Sequence, residues 1–153
     1  MPPACLKKPA FVPVSHALFP EDLHQIKSAW IHVSSVISGT NDSEIRINGI
    51  PAGVVPDNVS YAARRFIPLS EQAIAGLGLC NQLEIRMPKS QTFAIGSISL
   101  EVSLYDGRTV HSYVANENMV CGQVWQEYRH PERFHTVTPD ENVPVQLIFD
   151  AKG

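Results

Sequence analysis

Along three separate blocks between Ser43 and Leu104, apolar and polar residues alternate. A period of two requires strands with one buried and one solvated face. The blocks are Glu44-Ile-Arg-Ile47, Gln82-Leu-Glu-Ile-Arg-Met87 and Ser97-Ile-Ser-Leu-Glu-Val-Ser-Leu104. Leu83, Ile85 and Met87 are assigned inward with Glu84 and Arg86 in water, and Ile98, Leu100, Val102 and Leu104 form the second inward row.

Turn chemistry separates these strands. Asn48-Gly49 follows the first block and supplies the two positive φ angles of a type I′ turn, so Ile50 to Val55 is predicted to return as a partner strand. Pro51 restricts that partner to an edge or a bulge, because proline gives no ladder donor. Asp106-Gly107 is read as a second hairpin turn of the same chemistry, leading into Thr109 to Val114. Ala29 to Ile37 is β-branched and reads as a strand, with Ile31 and Val33 on one face and Trp30 and His32 on the other. Met119 to Trp125 and Val143 to Phe149 complete about eight strands.

Helix is confined to two turns. Pro20 suits a first helical position, with acids following it and Leu23 and Ile26 on one side. Ser70 is placed as the N-cap of Glu71 to Ala75, and Tyr61 to Arg65 tolerates helix. Strands, turns and little helix imply an all-β fold, an antiparallel β-sandwich. Residues 1–18 hold four of the twelve prolines and read as an N-terminal arm, while 19–153 form one sandwich domain. At 153 residues with 44% apolar content, the chain buries enough surface to fold as that single unit.

Taken in order, the strand ending in Asn48-Gly49, the Phe66-Ile-Pro-Leu69 stretch, Asn81-Gln-Leu-Glu-Ile85 and the long strand to Leu104 resemble the galactose-binding-domain-like β-sandwich. The resemblance covers residues 29–105 and implies a jelly roll of the carbohydrate-binding-module kind. It departs from the family at Leu79-Cys80, where a glycine commonly stands two residues before the asparagine. The family's ligand residues lie in variable loops, so none transfers by position. Many members hold a structural calcium, but no dense run of Asp, Asn and Glu marks such a site here.

The candidate ligand residues come instead from Gln123 to His135, which is rich in aromatic and planar polar groups. A flat ring covers the C–H face of a pyranose while planar polar groups bind its hydroxyls, which selects Trp125, Tyr128, Arg129 and His130. The bland alternative is that Trp125 and Phe134 anchor a loop. Trp30 is expected in the core, as large aromatics usually are, and His32 and His111 at strand surfaces. Glu44, Glu84 and Glu101 read as isolated solvated carboxylates. Arg64-Arg65 reads as solvated charge, with an anion clamp as the alternative.

A net charge of −3, from 12 Lys plus Arg against 15 Asp plus Glu, argues against nucleic acid. No apolar run reaches membrane-spanning length, and prolines interrupt any secretory signal in the first 14 residues. Cys5, Cys80 and Cys121 lack CxxC spacing and suit reduced thiols, with a Cys80 to Cys121 bridge as the alternative. A cytoplasmic setting is favoured, with a virion part or an excised extracellular domain as alternatives. Asn41-Asp-Ser43 and Asn58-Val-Ser60 match the glycosylation pattern by chance in that setting.

No catalytic motif such as G-x-S-x-G, H-E-x-x-H or a phosphate cradle is present. The leading reading is a non-catalytic module that binds carbohydrate, without cofactor or metal. The alternative is a structural or protein-interaction subunit, such as an assembly or virion component, oligomerising through the arm or an edge strand. The lesser alternative is a metal-dependent enzyme built on His130 and His135.

Overall fold

The computed structural model describes residues 15–38, 41–56, 63–89, 92–122 and 135–151. Among them are ten strands: β1 (Ile26–Ser38), β2 (Glu44–Ile47), β3 (Ile50–Gly53), β4 (Ala63–Pro68), β5 (Cys80–Arg86), β6 (Thr92–Leu104), β7 (Thr109–His111), β8 (Met119–Cys121), β9 (His135–Thr136) and β10 (Asn142–Ile148). A 3-10 turn spans Pro20–Gln25 and helix α1 spans Glu71–Ala75. Ser70 caps α1, its hydroxyl accepting the Ala73 amide at 3.2 Å, as expected.

The strands form two sheets, and the all-β prediction holds. One has the order β4-β1-β6-β8-β9, with β7 also paired to β6; the other has the order β10-β5-β2-β3. All pairs are antiparallel except β8 with β9, which run parallel. Strand β6 is long enough to pair with β8 along Phe93 to Ile95 and with β7 along Glu101 to Ser103, while β1 runs along its other edge.

The core lies between the sheets. Ile31 and Val33 from β1 and Ile98, Leu100 and Val102 from β6 meet the opposite row of Ile45, Ile47, Leu83, Ile85, Val145 and Leu147, all at most 1% exposed. Each such side chain contributes roughly 1.5–3 kcal/mol by leaving water. The inward rows of β5 and β6 are those predicted.

Two irregularities adjust this packing. Opposite the β1 step from His32 to Ser34, β6 runs from Ser99 to Gly96, one residue more. Ser97 takes up the difference with φ 53°, and its amide donates to Asn118 Oδ1 at 2.9 Å. Phe93 and Ile95 therefore point inward from odd positions, and Ile98 and Leu100 from even ones. In the other sheet, β3 is the edge strand carrying Pro51, with a register shift opposite Ile45 and Arg46.

Other expectations are corrected in detail. Asn48 and Gly49 both have positive φ, 50° and 83°, as the type I′ turn requires. At Asp106-Gly107 only Gly107 does (φ 97°), and the Gly107 amide donates to the Leu104 carbonyl at 3.0 Å. That loop is a longer turn ending in a left-handed glycine. Ala63 to Arg65 is strand, because β4 pairs along β1 from Ser35 to Trp30. Cys80 and Cys121 lie in different sheets, and no bridge joins them. Cys5 and the other residues of the arm before Ser15 lie outside the described residues. Leu18 is fully buried, and the backbone of residues 16 and 18 bonds to Asp150.

Candidate functional site

Trp30, His32 and Ser34 alternate with the core residues of β1 and so stand on the outer face of its sheet. Trp30 is partly exposed there, which corrects its expected place in the core. Register then assembles a cluster around it. Phe66 of β4 stands opposite His32, Glu101 of β6 opposite Trp30, and His111 of β7 opposite Glu101.

The side chains use that proximity. His32 Nε2 is 2.9 Å from Glu101 Oε1, a contact that places a ring proton on Nε2 to be donated to the carboxylate. His111 Nε2 approaches the same oxygen at 3.8 Å. The His32 ring meets Phe66 edge-on, centroids 4.7 Å apart, and His111 likewise at 5.8 Å. Glu101 is thus engaged by two imidazoles, which corrects its reading as an isolated solvated carboxylate. Phe66 remains 58% exposed, an unusual setting for a phenyl ring.

Trp30, His32, Phe66 and Glu101 line an open depression of about 270 Å³. Ser34 and Ser103 flank it with short, partly exposed side chains. Further along the same outer face the character changes: Val36, Ala94 and Val120 are at most 9% exposed. Only the half around Glu101 presents rings and ionisable groups to solvent among the described residues of this face.

The outer face of the other sheet differs. Glu44, Arg46, Glu84, Arg86 and Asn142 line a charged depression of about 200 Å³. Arg86 is committed there, its guanidinium donating to Asp140 Oδ1 at 2.7 Å and to the Asp42 carbonyl at 2.7 Å. The hydrogen bond to Asp140, with the nearby charges of Asp140, Asp42 and Glu44, holds Arg86 above its ordinary pKa. Arg46 and Arg86 also share Glu44, each at 3.7 Å.

Trp125, Tyr128, Arg129 and His130 lie outside the described residues, as does Phe134. The segment that holds them leaves β8, which pairs with the far half of β6, and returns at β9, which pairs with β8. Six residues of β6 separate Ile95, at that pairing, from Glu101, roughly 20 Å along the strand. Arg65 is described, and it stands in register with Val33 of the inward row. Its Nε is buried without a hydrogen-bond partner among the described residues. No group of three His, Cys, Asp or Glu able to hold a metal ion occurs among the described residues, and no helix there is long and apolar enough to cross a membrane.

The glycosylation match at Asn41 has a structural use. Asn41 Nδ2 donates to the Val55 carbonyl at 2.8 Å, and the Ser43 hydroxyl donates to Asn41 Oδ1 at 2.9 Å while accepting the Val55 amide at 2.9 Å. The amide nitrogen a glycan would take is already bonded. Asn58 lies outside the described residues.

Compared with known proteins, the chain matches no family model, no curated protein and no solved structure.

Proposed function

We propose that the chain is a non-catalytic binding module that takes a carbohydrate in the depression around Trp30, His32, Phe66 and Glu101. The observation that carries this reading is a single depression lined by the exposed Phe66 ring, Trp30, a carboxylate and an imidazole. Aromatic faces cover the C–H side of a sugar, while Glu101 accepts from its hydroxyls and the imidazoles exchange hydrogen bonds with them. A galactose-binding-like jelly roll is the fold reading that accompanies it, supported by the shared corner of Asn48 and Asn81. Titration against a glycan panel tests the function. Trp30→Ala and Phe66→Ala should each weaken binding by about tenfold, the scale of one aromatic contact. Absence of binding across the panel overturns the reading, and dependence on Trp125 and Tyr128 alone moves the site to the Gln123–His135 segment.

A second reading, a protein-interaction subunit, is favoured by a different surface. Tyr113, Val114 and Ile148 are exposed by 41–55% and line a groove with Gln146 beside the edge strand β10. Such apolar seams along a strand edge receive peptide strands. Measurement of mass in solution separates the readings: a monomer whose mass and stability are unchanged by Val114→Lys leaves this surface without a partner copy.

A further inference from the structure

Glu101 Oε1 is shared by two imidazole nitrogens, at 2.9 Å from His32 and 3.8 Å from His111. The three side chains are 21%, 12% and 27% exposed respectively, so they are partly screened and still reachable by a ligand. With both rings neutral, the group carries the single negative charge of the carboxylate; with both protonated, two positive charges outweigh it and the sum is +1. Imidazoles make that change between about pH 5 and 8, where no other common side chain ordinarily titrates.

Among the described residues, the other strand positions that share this face are uncharged apart from Arg64 in the register of β4. Strand β1 contributes Trp30 and Ser34 to the face, β6 contributes Ser99 and Ser103, and β7 contributes Thr109. Strand β4 contributes Phe66 and Pro68 opposite His32 and Trp30, with Arg64 opposite Ser34 in the register. His16 reaches the cluster only through the backbone, its Nδ1 lying 2.7 Å from the His111 carbonyl oxygen while its ring stacks on Tyr113.

We propose that protonation of His32 and His111 sets which sugars this face accepts: carboxylate-bearing sugars are repelled by Glu101 at alkaline pH and admitted in mild acid. The inference rests on the carbohydrate reading and specifies its ligand class and its control. A ligand carboxylate within about 4–5 Å of two new positive charges gains about tenfold or more in affinity even at the dielectric of water, and added salt reduces the gain. A neutral sugar of the same skeleton has no charge to sense the switch.

The experiment titrates the full chain calorimetrically with oligogalacturonate and with its methyl-esterified, neutral counterpart, near pH 5 and near pH 8 at low salt. The acidic ligand should bind about tenfold more tightly near pH 5, and the neutral one should change by less than about threefold. Glu101→Gln should admit the acidic ligand near pH 8, and His111→Gln or the pair with His32→Gln should flatten its pH response, each variant checked for native circular dichroism. The comparison in the unmodified protein stands whether or not a variant folds. Neutral ligand bound with no pH preference for the acidic one overturns this inference and leaves carbohydrate binding in place. Failure of both ligands at both pH values overturns it for this ligand class, and the glycan panel then decides the broader reading.

Discussion

Asn48 Nδ2 donates to Asn81 Oδ1 at 2.9 Å, fastening the β2–β3 turn to the start of β5. Asn81 is 1% exposed and fully used: its carbonyl oxygen also accepts the Gly78 amide at 2.9 Å, and its amide donates to the Gly78 carbonyl at 2.8 Å. Asn48 completes the corner, its Oδ1 accepting the Gln82 amide at 3.0 Å and its Nδ2 reaching the Gly76 carbonyl at 3.1 Å. The two asparagines thus do for the loop what a ladder does for strands.

Asn81→Ala removes those bonds and leaves backbone groups of Gly78 unpaired in a closed corner. A loss of about 3 kcal/mol is expected, from several hydrogen bonds and the desolvation cost of their orphaned partners. Asn48→Ala should lose about half as much, since its side chain is exposed. Urea unfolding of both variants and of the pair checks this. The double variant should lose less than the sum, because the singles share one bond.

Two glycines should fail for different reasons. Gly49 has φ 83° with open space where a Cβ would stand, so Gly49→Ala meets only backbone strain, about 1 kcal/mol. At Gly96 a Cβ would overlap the Asn118 side chain, the same group that holds the Ser97 amide. Gly96→Ala should therefore cost about 1–3 kcal/mol. Adding Asn118→Ala to Gly96→Ala should relieve the overlap and recover part of that loss, whereas in Gly49→Ala it should only add the cost of the lost Ser97 hydrogen bond. Denaturation midpoints of the four variants make the comparison.

The acid limb of stability should include Asp22. Hydrogen bonding from Arg108, 2.7 Å away, is the largest cause holding this carboxyl below its usual range, against the opposing effect of burial; the Phe19 amide, 3.0 Å away, lowers it further. Its folded-state value is depressed, so its contribution is fully present above the unfolded value of about 3.9 and is lost as pH falls through the lower folded value. Asp22→Asn should lower stability near neutral pH and flatten part of the decline below about pH 4. Asp42 and Asp106 are depressed too and retain the remainder. Urea midpoints measured from neutral pH down to about pH 2 test the sign.

The inward rows of β2, β5 and β6 were legible because one-sided burial enforces a period of two on each strand. Ser70 and Asn48-Gly49 were legible because a cap and a type I′ turn each demand a short list of residues. Trp30 was misplaced because average burial says nothing of which strand face an aromatic takes. His135 and Thr136 of β9 have no pattern of their own and become strand only by pairing with Met119 and Val120. The cluster of His32, Glu101 and His111 was invisible for a stronger reason. Sixty-nine and ten residues separate its members in sequence, and only the register of three strands makes them neighbours.

Ser97 makes strand β6 a point where the chain counts its residues. Deleting it would turn Phe93 and Ile95 to the outside while Ile98 and Leu100 stayed within, or the reverse. Either outcome exposes an entire row, a penalty that no single truncation of those side chains approaches. A residue lost from the surface turn at Asp106 leaves both halves facing as before. The molecule should therefore accept changes of length at its exposed turns and refuse them at this one serine, whose own side chain contributes little to the core.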